Sequence, residues 1–201
     1  MIPEDTLYPA GPVSPYLPPD DVPKSRLADL ELGGVALNDP SQGHMVRVWK
    51  AWRDSLDTGI YVEPLDQSIA PVLVVDTGSM ASVDIGLGFD QNMRPVICWE
   101  LGGFVYLYWY DSTIPGPTVT SWAGRTPVVT LDDKRERSSA EGTNDNLLFY
   151  MDGADMKMRR QRDRYATEFT VASPGPFASI RRAGMSKGLR LQVEVVGADD
   201  E

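Results

Sequence analysis

Apolar and polar residues alternate with a period of two over much of the second half of the chain. From Ser82 to Phe89, Val83, Ile85, Leu87 and Phe89 fall on one side, and Asp84, Gly86 and Gly88 on the other. That pattern predicts a half-buried β-strand. Asp90 to Met93 reads as a turn, Pro95 to Glu100 as a strand, and Leu101-Gly102-Gly103 as a hairpin turn. Phe104 to Tyr110 is a β-prone aromatic strand, with Val105, Leu107 and Trp109 on one side and Tyr106, Tyr108 and Tyr110 on the other. Strands are expected again at Pro127–Leu131, Asn146–Met151, Asp155–Arg160 and Tyr165–Val171, with a polar loop from Asp132 to Thr143 and a turn at Asp152-Gly153. Before residue 82 the alternation is weaker. His44 to Trp52 reads as a strand or a short helix, and strands are expected at Gly59–Val62 and Val72–Val75.

These segments repeat. Each unit runs strand, acidic turn, strand, glycine hairpin, strand, then an outgoing strand. Copies are expected at about residues 82–125 and 126–172, with a partial copy at 177–197. The fold class that follows is all-β: antiparallel meanders resembling an incomplete β-propeller or a β-sandwich. A closed propeller takes about four blades or more, so partner chains are the expected completion.

The first residues differ from the rest. Prolines stand at 3, 9, 12, 15, 18, 19 and 23, a spacing that opposes helix and sheet ladders and favours extended polyproline conformation. Tyr8, Tyr16 and Leu17 are interleaved with them. Residues 1–31 therefore read as an extended anchoring arm that lies along a partner, with a disordered tail as the other reading. Residues 32–201 read as the β-rich body.

Composition narrows the function classes. The chain of 201 residues carries a formal net charge of -10, which disfavours nucleic-acid binding by the whole surface. No stretch approaches the ~18 apolar residues that cross a bilayer, and no basic region followed by an apolar one opens the chain, so neither membrane insertion nor a signal peptide is expected. A single cysteine, Cys98, sits in the apolar run Val96 to Trp99 and reads as a small core residue. A single histidine, His44, is too little for a zinc site. No cofactor and no metal are expected.

Two strings carry candidate chemistry. Val74-Val75-Asp76-Thr77-Gly78-Ser79 resembles the active-site signature of aspartic proteases, and a single copy would imply a retroviral-type homodimer. Met80 and Asp84 depart from that signature, and Asp-Thr-Gly-Ser is also ordinary turn chemistry. Arg160, Arg162 and Arg164, with Lys157, Arg159 and Tyr165 beside them, form a basic patch in an acidic chain. Such a patch suits an acidic partner or a phosphate or sialic-acid group; a solvated face paired with nearby acids is the simpler reading. The Tyr106, Tyr108 and Tyr110 face, where exposed, suits sugars or a neighbouring subunit.

Three sets of residues resemble a family of tailed-bacteriophage virion structural proteins: Gly33 to Gly43, Gly88 to Met93, and Leu131 to Arg135 together with Arg160 to Tyr165. The resemblance covers about residues 32–170. It implies a non-enzymatic structural component of the virion, in the tail or adsorption apparatus and assembled in the host cytoplasm. The arm would dock onto other virion proteins, in several copies per particle. A host-surface glycan-binding module at the tail tip is the alternative. The expected partner contacts are Tyr8, Tyr16, Leu17, Tyr106, Tyr108, Tyr110, Arg160, Arg162, Arg164 and Tyr165.

Overall fold

The computed structural model describes residues 30–38, 47–54, 59–64, 70–76, 85–90, 94–132, 145–185 and 191–197. All the regular structure in them is antiparallel β-sheet, apart from one 3-10 turn at Gln161–Asp163. None of the sheets closes into a barrel. The chain divides into two compact units, Met1–Ser79 and Met80–Glu201. Residues 1–29 of the expected arm lie outside the described residues, and with them Tyr8, Tyr16 and Leu17; so do His44 and Thr77-Gly78, whereas Leu30 and Glu31, expected to end the arm, begin a strand.

The first unit holds a four-stranded meander in sequential order: β1 (Leu30–Asn38), β2 (Arg47–Asp54), β3 (Gly59–Pro64) and β4 (Val72–Asp76). The segment that read as strand or helix is therefore strand. Cross-strand pairs hold β2 to β3. Trp52 sits opposite Tyr61 and stacks on it at 5.5 Å. Lys50 sits opposite Glu63, with Nζ 2.8 Å from the carboxylate and 4.6 Å from the Trp52 ring centre. Ala51, Ile60, Val62 and Val74 are buried.

The second unit contains three sheets. The first is β5 (Ile85–Phe89), β6 (Pro95–Leu101), β7 (Phe104–Tyr110) and β8 (Pro117–Ala123), in that order. The second is β9 (Arg125–Asp132), β10 (Asp145–Asp152), β11 (Asp155–Arg160) and β12 (Phe169–Ala172). The third is the hairpin β13 (Ser179–Met185) and β14 (Leu191–Val196). Gly102 and Gly103, at φ +62° and +80°, form the tight turn between β6 and β7 that the sequence predicts.

The three sheets meet mainly through β9, which packs against β5 and β6 on one side and β13 on the other. Gly88 makes the first approach possible: a Cβ there would lie 3.1 Å from Val129 Cγ2. A Cβ on Gly86 would lie 2.5 Å from the Sγ of Cys98, its neighbour on β6, and 3.5 Å from Pro127 C=O of β9. The glycine face of β5 thus packs against another strand, where the sequence pattern predicts a half-buried strand. Away from this line the facing side chains are larger. Val96, Cys98, Val105, Leu107 and Trp109 meet Val129, Leu148, Tyr150 and Tyr165, with Trp122 packed at their side.

The second sheet is the middle layer. Leu148 and Tyr150 join that first core, while Leu147, Phe149 and Met151 pack with Met156, Ala178, Ile180 and Ala183 toward the hairpin. This explains why β10 reads as a continuous apolar run. Thr126, at φ +48°, joins all three sheets: its N–H donates to Glu100 of β6 at 2.8 Å, and its hydroxyl accepts from Ile180 N–H of β13 at 3.2 Å.

One expected strand is shorter than predicted. Tyr165–Val171 is reduced to Phe169–Ala172, because Arg164 and Tyr165 adopt left-handed conformations at φ +59° and +57° and turn the chain before it can pair.

Candidate functional site

The connections β5–β6, β7–β8 and β11–β12 converge with the start of β10 at one end of the second unit. Three aspartates there, Asp90, Asp111 and Asp145, each hold an arginine. Asp90 accepts from the N–H of Arg94 at 2.9 Å and from its Nε at 2.8 Å. Asp111 accepts from Thr113 N–H at 2.9 Å, from the Thr113 hydroxyl at 2.8 Å and from Arg164 Nε at 2.8 Å. Asp145, at the start of β10, accepts from Arg162 N–H at 2.9 Å, and Arg162 Nε lies 3.1 Å from its other oxygen. Gln161 reaches from the 3-10 turn to Tyr110 C=O at 3.4 Å.

The carboxylates are buried and the guanidinium groups are not. Asp90, Asp111 and Asp145 are at most 5% exposed, whereas the side chains of Arg94, Arg162 and Arg164 are 35%, 50% and 59% exposed. Buried acids thus orient a row of outward arginines. Arg94 also lies over the Tyr110 ring at 4.8 Å, and the Tyr108 and Tyr110 hydroxyls are 3.4 Å apart. The acids differ in their affinity for protons. Thr113 N–H, then its hydroxyl and Arg164, hold the Asp111 carboxyl below the usual range. Burial pushes Asp145 up, against the opposing pull of Arg162 N–H and the Arg162 and Arg160 charges.

The arginines of the expected basic patch are therefore each held by different partners. Arg162 belongs to Asp145 and Arg164 to Asp111. Arg160 lies 4.3 Å over the Phe169 ring and 4.0 Å from Asp163. Arg159 is buried: it donates to the Tyr150 hydroxyl at 2.8 Å, to Tyr165 C=O at 2.9 Å and to Glu168 at 2.7 Å, and lies 4.7 Å over the Trp122 ring. Tyr165, expected as a partner contact, is a core residue with no exposed surface, and its hydroxyl donates to Asn146 at 2.9 Å. Tyr108 is also buried; Tyr106 and Tyr110 are half-buried, and Tyr106 stacks on Trp99 at 5.4 Å. The tyrosine side of β7 is thus largely covered.

The residues that organise this end were not singled out as a site from sequence: Arg94, Asp111, Asp145 and Gln161. For Asp111 and Asp145 the available signal was an aspartate at a strand end; Arg94 and Gln161 carried none. Cys98 is fully buried, and burial pushes its thiol up to about 12, the state of an unreactive core thiol. Asp76 is the exposed last residue of the edge strand β4, opposite Gly59. Among the described residues no group of three or more His, Cys, Asp or Glu is placed to hold a metal ion, and no helix is long and apolar enough to cross a membrane. No protein family, curated protein or solved structure matches the chain.

Proposed function

We propose that the chain is a non-catalytic structural component of a tailed-bacteriophage virion, in the tail or adsorption apparatus, docking through residues 1–31 onto other virion proteins. The observation that carries an assembly role is the serial construction of the body. Four-stranded meanders follow one another along the chain, and the second unit adds a two-stranded hairpin. The sheets of the second unit have outer edges at which further strands from other chains can be added. The particle itself is supported by the resemblance of residues 33–43, 88–93, 131–135 and 160–165. Antibody against the recombinant chain is expected to decorate the tails of intact particles in electron micrographs. Finding the chain only in the soluble lysate, and not in purified particles, overturns the proposal.

A second reading, recognition of a host-surface glycan, draws on the Asp-anchored arginines and Tyr110. Outward guanidinium groups beside an aromatic ring suit an acidic sugar. Four carboxylates (Asp90, Asp111, Asp145, Asp163) balance Arg94, Arg160, Arg162 and Arg164, however, so the cluster has no net charge and its first effect is to tie the loops together. Binding of purified protein to acidic host polysaccharides, lost on Arg162→Ala and Arg164→Ala, supports this reading; no binding leaves the assembly role alone.

A further inference from the structure

The three sheets of the second unit end on β8, β12 and β14, and two of these edges carry features that discourage strand addition. β12 has four residues, and its pairing with β11 shifts register between Met156 and Lys157. β14 carries Glu194, which pairs with Arg181 and Arg182, and its pairing with β13 shifts between Ile180 and Arg182. Shortness, irregular register and charge are the usual protections of an edge. β8 has none of the three. It has seven residues, and its pairing with β7 is unbroken from Phe104↔Ala123 to Tyr110↔Pro117. From Ser112 to Gly124 the sequence contains no ionisable residue. Val119 is 43% exposed, and Pro117, Ser121 and Ala123 are exposed beside it.

The direction of the backbone groups follows from the hairpin. Gly124 N–H donates to Gly103 C=O at 3.0 Å. This makes Ala123 and Phe104 a non-hydrogen-bonded pair, so Trp122, Thr120 and Thr118 face β7 with their N–H and C=O groups. Val119, Ser121 and Ala123 direct theirs outward. Pro117, which has no N–H, stands where its outward donor would be and marks the end of the usable edge.

We infer that β8 is a self-association edge, at which two copies of this chain pair their β8 strands antiparallel about a two-fold axis through Ser121. With 29 acidic and 19 basic residues, two copies repel one another in general, but this uncharged edge brings no carboxylate against another. The strand is also complementary to itself in that register. Ser121 meets Ser121 of the other copy, Val119 meets Ala123, and Thr120 meets Trp122, a β-branched–aromatic pair. Three outward residues on each strand form hydrogen-bonded pairs, and two meanders become one continuous sheet. This inference does not depend on the virion proposal; it holds or fails with the isolated chain.

Sedimentation velocity of the full chain tests it. A reversible dimer is expected, and Ser121→Glu, which sets two carboxylates face to face, weakens it by about fivefold or more. Val119→Lys, a charge on the same edge, is the second variant. Both side chains are exposed and the N–H and C=O groups of both residues point away from β7, so thermal melts close to the parent's are expected. Hydrogen-bonded antiparallel positions lie about 5.5 Å apart between Cα atoms, within disulfide range. Ser121→Cys treated with diamide is therefore expected to give a covalent dimer, while the buried Cys98 leaves the parent chain uncrosslinked. A parent chain that stays monomeric at its highest soluble concentration overturns the inference. So does a dimer that resists Ser121→Glu and does not crosslink at 121. A monomer whose Val119, Ser121 and Ala123 amides are protected from hydrogen exchange has its edge covered by its own chain, and overturns it equally.

Discussion

The ring of Tyr165 packs edge-on against Trp109 at 5.0 Å and lies 6.3 Å from Trp122, while its hydroxyl donates to Asn146. Asn146 in turn donates to Phe89 C=O at 3.0 Å, so one short chain of hydrogen bonds joins the β11–β12 connection to β10 and β5. Every group in it is buried. Tyr165→Phe keeps the ring but leaves the Asn146 oxygen without its donor. It is expected to cost about 1–3 kcal/mol in urea denaturation, with the slope of the transition unchanged. The sequence placed Tyr165 on a partner surface because four arginines stand within six residues of it. What turns it inward is the left-handed backbone at Arg164 and Tyr165, which no alternation pattern encodes. Arg159 misled in the same way: a guanidinium is buried here because Glu168, the Tyr150 hydroxyl and two carbonyls meet it.

Among the elements, β5 lies against both β6 and β9, and Gly86 has no room for a side chain beside Cys98 of β6. Gly86→Ala puts a methyl group into the Cys98 sulfur and is expected to destabilise by about 1–3 kcal/mol. Cys98→Ala opens a small void at the same place. The two combined are expected to cost less than the sum of the separate changes, a coupling that a double-mutant cycle of thermal or urea stability measures directly. Additive costs would mean that Gly86 is needed for its backbone and not for its lack of a Cβ. Most strands were legible. β6, β7, β10 and β11 fall within a residue or two of the segments predicted from alternation, aromatic content and glycine turns. β12 was overextended, because its predicted start is the left-handed turn. The meander of β1 to β4 was not recognised as a unit, because its alternation is interrupted where the later repeats are regular.

At the scale of the molecule, the charged pairs between connections make stability depend on pH. Asp111, Asp155 and Glu168 all have lowered proton affinity in the fold: Asp111 chiefly through Thr113 N–H, Asp155 through Ser173 and then Lys157, and Glu168 through the Tyr150 hydroxyl and then Arg159. A lowered folded value gives stability that is present above the unfolded carboxylate range, about pH 4, and lost as pH falls through the folded value. Asp145 has the opposite sign, since burial makes its folded form hold a proton more firmly and gain stability as pH falls. The melting temperature is therefore expected to fall on acidification below about pH 4. Asp111→Asn should make that fall shallower. Asp145→Asn, which keeps an acceptor for Arg162 N–H, should make it steeper. Melting curves of the three proteins from neutral pH to pH 3 check both signs.

The all-β class, the hairpin turns and the meander as the unit of construction were determined by the sequence alone. These depend on local chemistry: a period of two, aromatic and β-branched runs, and glycines at turns. The tertiary structure decided the rest. It set which face of each strand meets the neighbouring sheet: the Val105, Leu107 and Trp109 side of β7 packs against it, and the tyrosine side does not. It placed Asp90, Asp111 and Asp145 against arginines that lie 4, 53 and 17 residues away in the chain. It also left β8 as an uncharged, regular edge, a property of position in a sheet that no single strand's sequence contains.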